Sequence, residues 1–154
     1  LPLSAVIGPA PVMDCATAFA MQTLHGNPVC AAAGLAVLDT IGAEELVARA
    51  GVQGNKLRLG LERLKVRHPL VGDVRGRGLA LGVELVTDQA TKAYGTAQAG
   101  FVRQYCLEHG LLIGVGGNFG SVLRIQPPLV IDDAQLERVF ATVADGLEAA
   151  AGAA

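Results

Sequence analysis

Only one of the first 38 residues, Asp14, carries a formal charge, and residues 15–38 form an unbroken run of 24 neutral residues. A surface that apolar needs cover, so the segment is expected to bury itself against protein outside this chain or against a second copy. Gln22, Thr23, His25, Asn27 and Pro28 interrupt the run, which argues against a membrane span. Within it, Thr23-Leu24-His25-Gly26-Asn27-Pro28 opens onto apolar residues 29–38. Gly26 accepts backbone angles a side chain forbids, Asn27 is a good N-cap, and Pro28 suits the first helical position. A helix is therefore predicted from Pro28 to about Ile41. Its N-terminal amides and dipole, together with the Thr23 hydroxyl, form a candidate anion site; the same residues read equally as a well-capped helix start and nothing more.

The chain of 154 residues is 51% hydrophobic and 17% charged, the size and composition of one ordinary domain with a real core. A net charge of −2 without any run of Lys or Arg leaves no footprint for nucleic acid or an acidic membrane. Cys15, Cys30 and Cys106 are odd in number and lack CxxC spacing, so they are read as buried reduced thiols of a cytoplasmic protein, with no disulfide or zinc site. His25, His68 and His109 are too far apart for a metal or triad arrangement; His68 and His109 fall at helix ends and read as structural. Leu1-Pro2-Leu3 has neither an initiator Met nor the basic head of a signal peptide, and reads as the start of a cut piece.

Residues 3–7 are predicted as a short buried strand, and Pro11 to Ala20 as a short helix. After the helix from Pro28, Glu44-Glu45 are expected in the first turn of a long amphipathic helix with Leu46, Val47, Ala50, Leu57, Leu61 and Leu64 at helical spacing, stopped by Pro69. Leu70 to Val74 and Leu79 to Val86 read as paired strands, the second with Leu79, Leu81, Val83 and Leu85 on one face. A helix over Ala97 to His109 follows, with Phe101, Val102, Tyr105 and Cys106 sharing a face and Gly110 at C′. Leu111 to Val115, Val122 to Gln126 and Leu129 to Ile131 are predicted strands, the first two joined by a glycine-rich turn. Asp132 and Gln135 form a capping box for the last helix, which ends in a frayed tail from Ala149. This order implies a small α+β layer with helices on one face of a short sheet.

Arg124 stands out as a charge inside an apolar strand, between Leu123 and Ile125. Pointed at a cleft, its fork suits a carboxylate held bidentately; turned to solvent or paired with a Glu, it is an ordinary surface residue. Arg75 and Arg77 read as solvated charges of a tight strand connection. Lys56, Lys65 and Lys92 lie in exposed contexts, none desolvated enough for a nucleophilic amine.

Taken together, Leu1-Pro2-Leu3-Ser4-Ala5-Val6-Ile7-Gly8, Thr23-Leu24-His25-Gly26-Asn27-Pro28, Gly72-Asp73-Val74-Arg75-Gly76-Arg77-Gly78-Leu79 and Val122-Leu123-Arg124-Ile125-Gln126-Pro127-Pro128-Leu129 closely resemble the C-terminal part of class III pyridoxal-phosphate aminotransferases. That group includes 4-aminobutyrate, acetylornithine and one type of alanine:glyoxylate aminotransferase. The resemblance implies an α/β protein of fold type I, with residues 1–30 as the edge of the large cofactor-binding domain and 31–154 as the small C-terminal α+β domain. It implies a homodimer through the N-terminal segment, amino acid and 2-oxo acid substrates, and pyridoxal 5'-phosphate as cofactor. Thr23 matches the threonine whose hydroxyl and amide bind the phosphate of the neighbouring subunit's cofactor, and Arg124 matches the arginine that binds the substrate carboxylate. In the family the Schiff-base lysine lies a few residues before the Leu-Pro-Leu-Ser segment, upstream of Leu1, so this polypeptide alone is expected to be inactive. The same scaffold also hosts phospho-lyases, aminomutases and a decarboxylase, and a non-catalytic dimerisation piece is the alternative from another class.

Overall fold

The computed structural model describes residues 1–15 and 26–152, which fall into two compact units, Leu1–Glu45 and Leu46–Ala154.

In the first unit, α1 (Ala10–Met13) is a single turn that ends at its C-cap Asp14, short of the helix expected up to Ala20; residues 16–20 of that expectation lie outside the described residues. Residues 3–7 have no strand geometry, and Ile7 is 95% exposed. A strand exists only by pairing, and among the described residues none pairs with this one. The predicted helix from Pro28 is present as α2 (Pro28–Ala43), with Pro28 in its first turn. None of its residues is buried, and Val29, Leu35, Val37 and Leu38 are all exposed. Glu44 is the C-cap of α2 and Glu45 has a positive φ of 48°. The pair therefore sits between helices, not in the first turn of the next one, because a left-handed residue ends one helical path before another begins.

The second unit is built on α3 (Leu46–Arg67), β1 (Val71–Arg77), β2 (Ala80–Leu85), α4 (Thr96–Glu108), β3 (Gly114–Gly116), β4 (Val122–Ile125) and α5 (Asp133–Gly152). The four strands form one antiparallel sheet in the order β1-β2-β4-β3. Strand alternation decides which face is covered. Leu81, Val83, Leu85, Leu123 and Ile125 point into the core, where they meet Leu57 and Leu61 of α3, Val102 and Cys106 of α4, and Leu136, Val143 and Leu147 of α5. Phe101, expected on the inner face of α4, is 42% exposed, and Ala99 takes the inner position.

Several boundaries differ from expectation: β1 runs on through Arg77, where a strand connection was expected, and three others have identifiable reasons. Leu112 is 81% exposed, and of the segment expected as a strand, Leu111 to Val115, only Gly114 and Val115 join the sheet, together with Gly116. Residues 129–131 form a turn because α3 captures their carbonyls: Arg49 Nη2 donates to Val130 O at 2.9 Å and to Ile131 O at 3.0 Å, and Gln53 Nε2 donates to Ile131 O at 3.2 Å. That capture delivers Asp132 to its capping box, in which Asp132 Oδ1 accepts from Gln135 N at 2.8 Å and Gln135 Oε1 accepts from Asp132 N at 3.1 Å. Finally, α5 runs on to Gly152 with Ala150 buried, since the tail still has core to pack against. Of the cysteines, Cys106 is buried, Cys30 half-buried and Cys15 exposed, so the expectation of buried thiols holds in full only for Cys106; all three are free.

Candidate functional site

The face of the sheet away from the helices carries the candidate chemistry. Register places Arg75 opposite Gly82, Gly82 opposite Arg124, and Arg124 opposite Gly114. Directly paired residues of an antiparallel sheet project to the same side, so the four strands display a row reading Arg75, Gly82, Arg124, Gly114. The two arginines are about 9–10 Å apart at the backbone, two interstrand spacings, with no side chain between them.

Their electrostatic states differ. Arg75 Nη1 donates to Glu84 Oε2 at 2.6 Å and to Asp73 Oδ2 at 2.9 Å, and Lys65 Nζ lies 3.7 Å from Asp73 Oδ1. The hydrogen bond from Arg75 holds the Asp73 carboxyl below its ordinary value, and the bond to Glu84 raises Arg75 further. Arg75 is thus neutralised by its own strand and its neighbour. Arg124 is exposed, and among the described residues no carboxylate forms an ion pair with it. An exposed guanidinium on a floor of glycine has the geometry to accept a planar anion such as a carboxylate.

The turn that delivers Arg124 is held from the side. Gly117 and Gly120 take positive φ of 80° and 64°, which lets the chain reverse between β3 and β4. The Phe119 ring stacks on Tyr94 with centroids 3.9 Å apart, and Thr96 Oγ1 donates to Phe119 O at 2.6 Å.

At α2 the geometry narrows the anion reading. Asn27 Oδ1 accepts from Val29 N at 3.1 Å and Cys30 N at 3.2 Å, while Ala31 N donates to Asn27 O at 2.9 Å. Pro28 has no amide hydrogen, so the first-turn donors are already used. An anion at this end depends on Thr23, which, like His25, lies outside the described residues.

Other candidates are occupied or set apart. Lys56 pairs with Asp133 at 2.7 Å, and Lys92 Nζ donates to Gln89 Oε1 at 2.6 Å. His109 Nδ1 is 2.8 Å from Tyr105 O and its ring stacks on Tyr105, a helix-end role. His68 is buried with Nε2 unpartnered at the end of α3. No group of three potential metal ligands gathers among the described residues. The glycines facing Arg124 were not legible as part of a site, although Gly114-Val115-Gly116-Gly117 ahead of Arg124 is the pattern that carries them; only the register shows which glycines meet the arginine.

The profile of the class III aminotransferases matches residues 1–147, and the chain belongs to that family. It is 49% identical over 115 residues to the mitochondrial alanine–glyoxylate aminotransferase 2 homolog 2 of Arabidopsis thaliana, covering 73% of this chain and 24% of that protein. It is 42% identical over 150 residues to an isoleucine 2-epimerase of Lentilactobacillus buchneri, covering 97% of this chain and 33% of that one. Among solved structures, an aminotransferase of Bacillus anthracis superposes with a TM-score of 0.78 and 36% identity, over 82% of this chain and 29% of its own. The chain therefore spans roughly a quarter to a third of these relatives, and its fold is that of fold type I aminotransferases. No helix among the described residues is long and apolar enough to cross a membrane.

Proposed function

We propose that the whole protein is a pyridoxal 5'-phosphate-dependent aminotransferase that moves an amino group from an amino acid, an omega-amino acid or alanine, to a 2-oxo acid. In this reading residues 1–30 close the large domain, residues 31–154 form the small domain, and the protein works as a cytoplasmic homodimer joined through the N-terminal segment. The observation that carries it is Arg124, an exposed guanidinium without an ion-pair partner among the described residues, in a chain of this family. Its role is to bind the substrate carboxylate through two charge-assisted hydrogen bonds and so orient the amino group for reaction.

When bound, the cofactor would supply the electron sink for negative charge at the carbon that bears the amino group. The described residues do not form a cradle for it, since the first-turn amides of α2 are taken by Asn27 and both Lys56 and Lys65 are paired with carboxylates. Thr23 is assigned to the cofactor phosphate of the neighbouring subunit, and the uncharged residues 28–38 of α2, with Val29, Leu35, Val37 and Leu38 exposed, support association there. The chain alone is assigned no turnover, because neither the Schiff-base lysine nor a desolvated substitute is among its residues.

Amino transfer to 2-oxo acids by the full-length protein, set beside this chain alone and the full-length Arg124→Ala variant, tests the assignment. The expected result is turnover by the full-length protein only, with a raised KM for amino acids in the variant; robust turnover by the isolated chain contradicts it. The epimerase relative supports a second reading, racemisation of an amino acid. Incubating one enantiomer without any 2-oxo acid separates the two: loss of optical purity favours racemisation, its retention favours transfer.

A further inference from the structure

The aliphatic stem and guanidinium of Arg124 lie along β3 over two residues that have no side chain. A Cβ built on Gly116 would stand 3.1 Å from Arg124 Cδ and 3.2 Å from Nε, and one built on Gly114 would stand 3.1 Å from both Nε and Nη2. All three of the nearest atoms at either position belong to Arg124, so a side chain there would meet the arginine before any other residue. Neither glycine has a positive φ, so the backbone does not require glycine at 114 or 116. On the other flank, a Cβ on Gly82 would meet Val122 Cγ1 at 3.0 Å and not the arginine. The guanidinium therefore leans toward β3 and away from β2.

We propose that Gly114 and Gly116 are positioning residues: together they form a side-chain-free track on β3 that lets the Arg124 side chain lie flat along the strand, the orientation in which its guanidinium meets a carboxylate-bearing substrate. This rests on the assignment of Arg124 to the substrate carboxylate. An arginine has many rotamers, and a fork aimed at a planar anion binds well only if few of them are populated. The track leaves room for the one that lies along β3, while the stack of Tyr94 on Phe119 and the Thr96 hydroxyl fix the turn that joins the track to β4. A methyl group at either position forces the guanidinium to move by a few tenths of an ångström, and an isopropyl group displaces it altogether. Misplacement on the order of 1 Å at a binding group costs up to about 100-fold in rate.

The test uses the full-length holoenzyme with Gly114→Val, Gly116→Val and Arg124→Ala, each alone and each valine combined with Arg124→Ala. Two quantities are read: the Kd for pentanoate, an acid with neither amino nor keto group, and kcat/KM for an amino-acid donor against the matching amine that lacks the carboxylate. The expected result is a rise of about 10- to 100-fold in Kd and in amino-acid KM for each valine variant, with the carboxylate-free amine changed by less than about twofold. In the Arg124→Ala background the valines add nothing further, as required of residues that act through the arginine. If Arg124→Ala weakens pentanoate but the valines do not, the track is refuted while the assignment of Arg124 stands. If Arg124→Ala itself leaves pentanoate binding unchanged, both fall. Should a valine variant fail to fold, Gly114→Ala and Gly116→Ala read the same effect at smaller amplitude, and an unchanged Kd in both overturns the proposal.

Discussion

Arg75 Nη1 donates to Glu84 Oε2 at 2.6 Å across the β1–β2 pair, and this bond separates two arginines that share one row of the sheet. It ties Arg75 to its own hairpin and leaves Arg124 as the guanidinium available to a ligand. Replacing Arg75 with Ala is expected to cost at most about 1 kcal/mol, as for exposed ion pairs, and to leave carboxylate affinity unchanged. Denaturant unfolding and an inhibitor titration on the same variant check both halves.

The ion-pair cluster also predicts an acid dependence. Asp73 is held below its ordinary value by the hydrogen bond from Arg75, so its contribution is present above pH 4 and is lost as the pH falls through its depressed value. Stability measured from pH 5 down to 2 should fall less steeply in Asp73→Asn than in the unaltered protein.

Burial pushes the Cys106 thiol up to about 11 from 9.0. Below pH 9 both folded and unfolded chains keep the proton and the contribution is complete. Between pH 9 and 11 the unfolded chain loses it first, so stability falls as the pH rises, by up to about 3 kcal/mol for a shift of this size. Comparing Cys106→Ala with the unaltered protein between pH 8 and 11 isolates this loss. In the folded protein a thiol reagent should label Cys15 rapidly and Cys106 only on unfolding.

Packing of α3 against α5 is tight at Gly60, where an added Cβ would run into the Phe140 ring. Gly60→Ala is expected to destabilise by about 1–3 kcal/mol through overpacking, and Leu57→Ala by about 2–5 kcal/mol through the cavity it leaves. Neither should alter the preference for carboxylate-bearing donors, which makes both useful controls for variants at Gly114 and Gly116. Chemical denaturation with constant m-values measures the costs.

Much of the second unit was legible in the sequence because its signals are local. Alternation in Leu79, Leu81, Val83 and Leu85, the Asp132–Gln135 capping box and Gly110 beyond α4 each act within a few residues. What escaped depends on distant partners. The fate of residues 129–131 is decided by Arg49 and Gln53 some 80 positions earlier, and residues 3–7 lack a strand to pair with among the described residues. At the site, an odd arginine in an apolar strand marked Arg124. Its contrast with Arg75 needed the register, since the two lie on non-adjacent strands with Gly82 between them.

The most direct test of the central claim is the affinity of the full-length holoenzyme for a carboxylate with and without the Arg124 guanidinium. Titration with pentanoate should give a Kd raised at least about tenfold in Arg124→Ala and unchanged in Arg75→Ala, as expected when a charge-assisted pair is removed from one arginine only. Equal affinity in all three proteins, or a loss confined to Arg75→Ala, would contradict the assignment of this face to the substrate carboxylate.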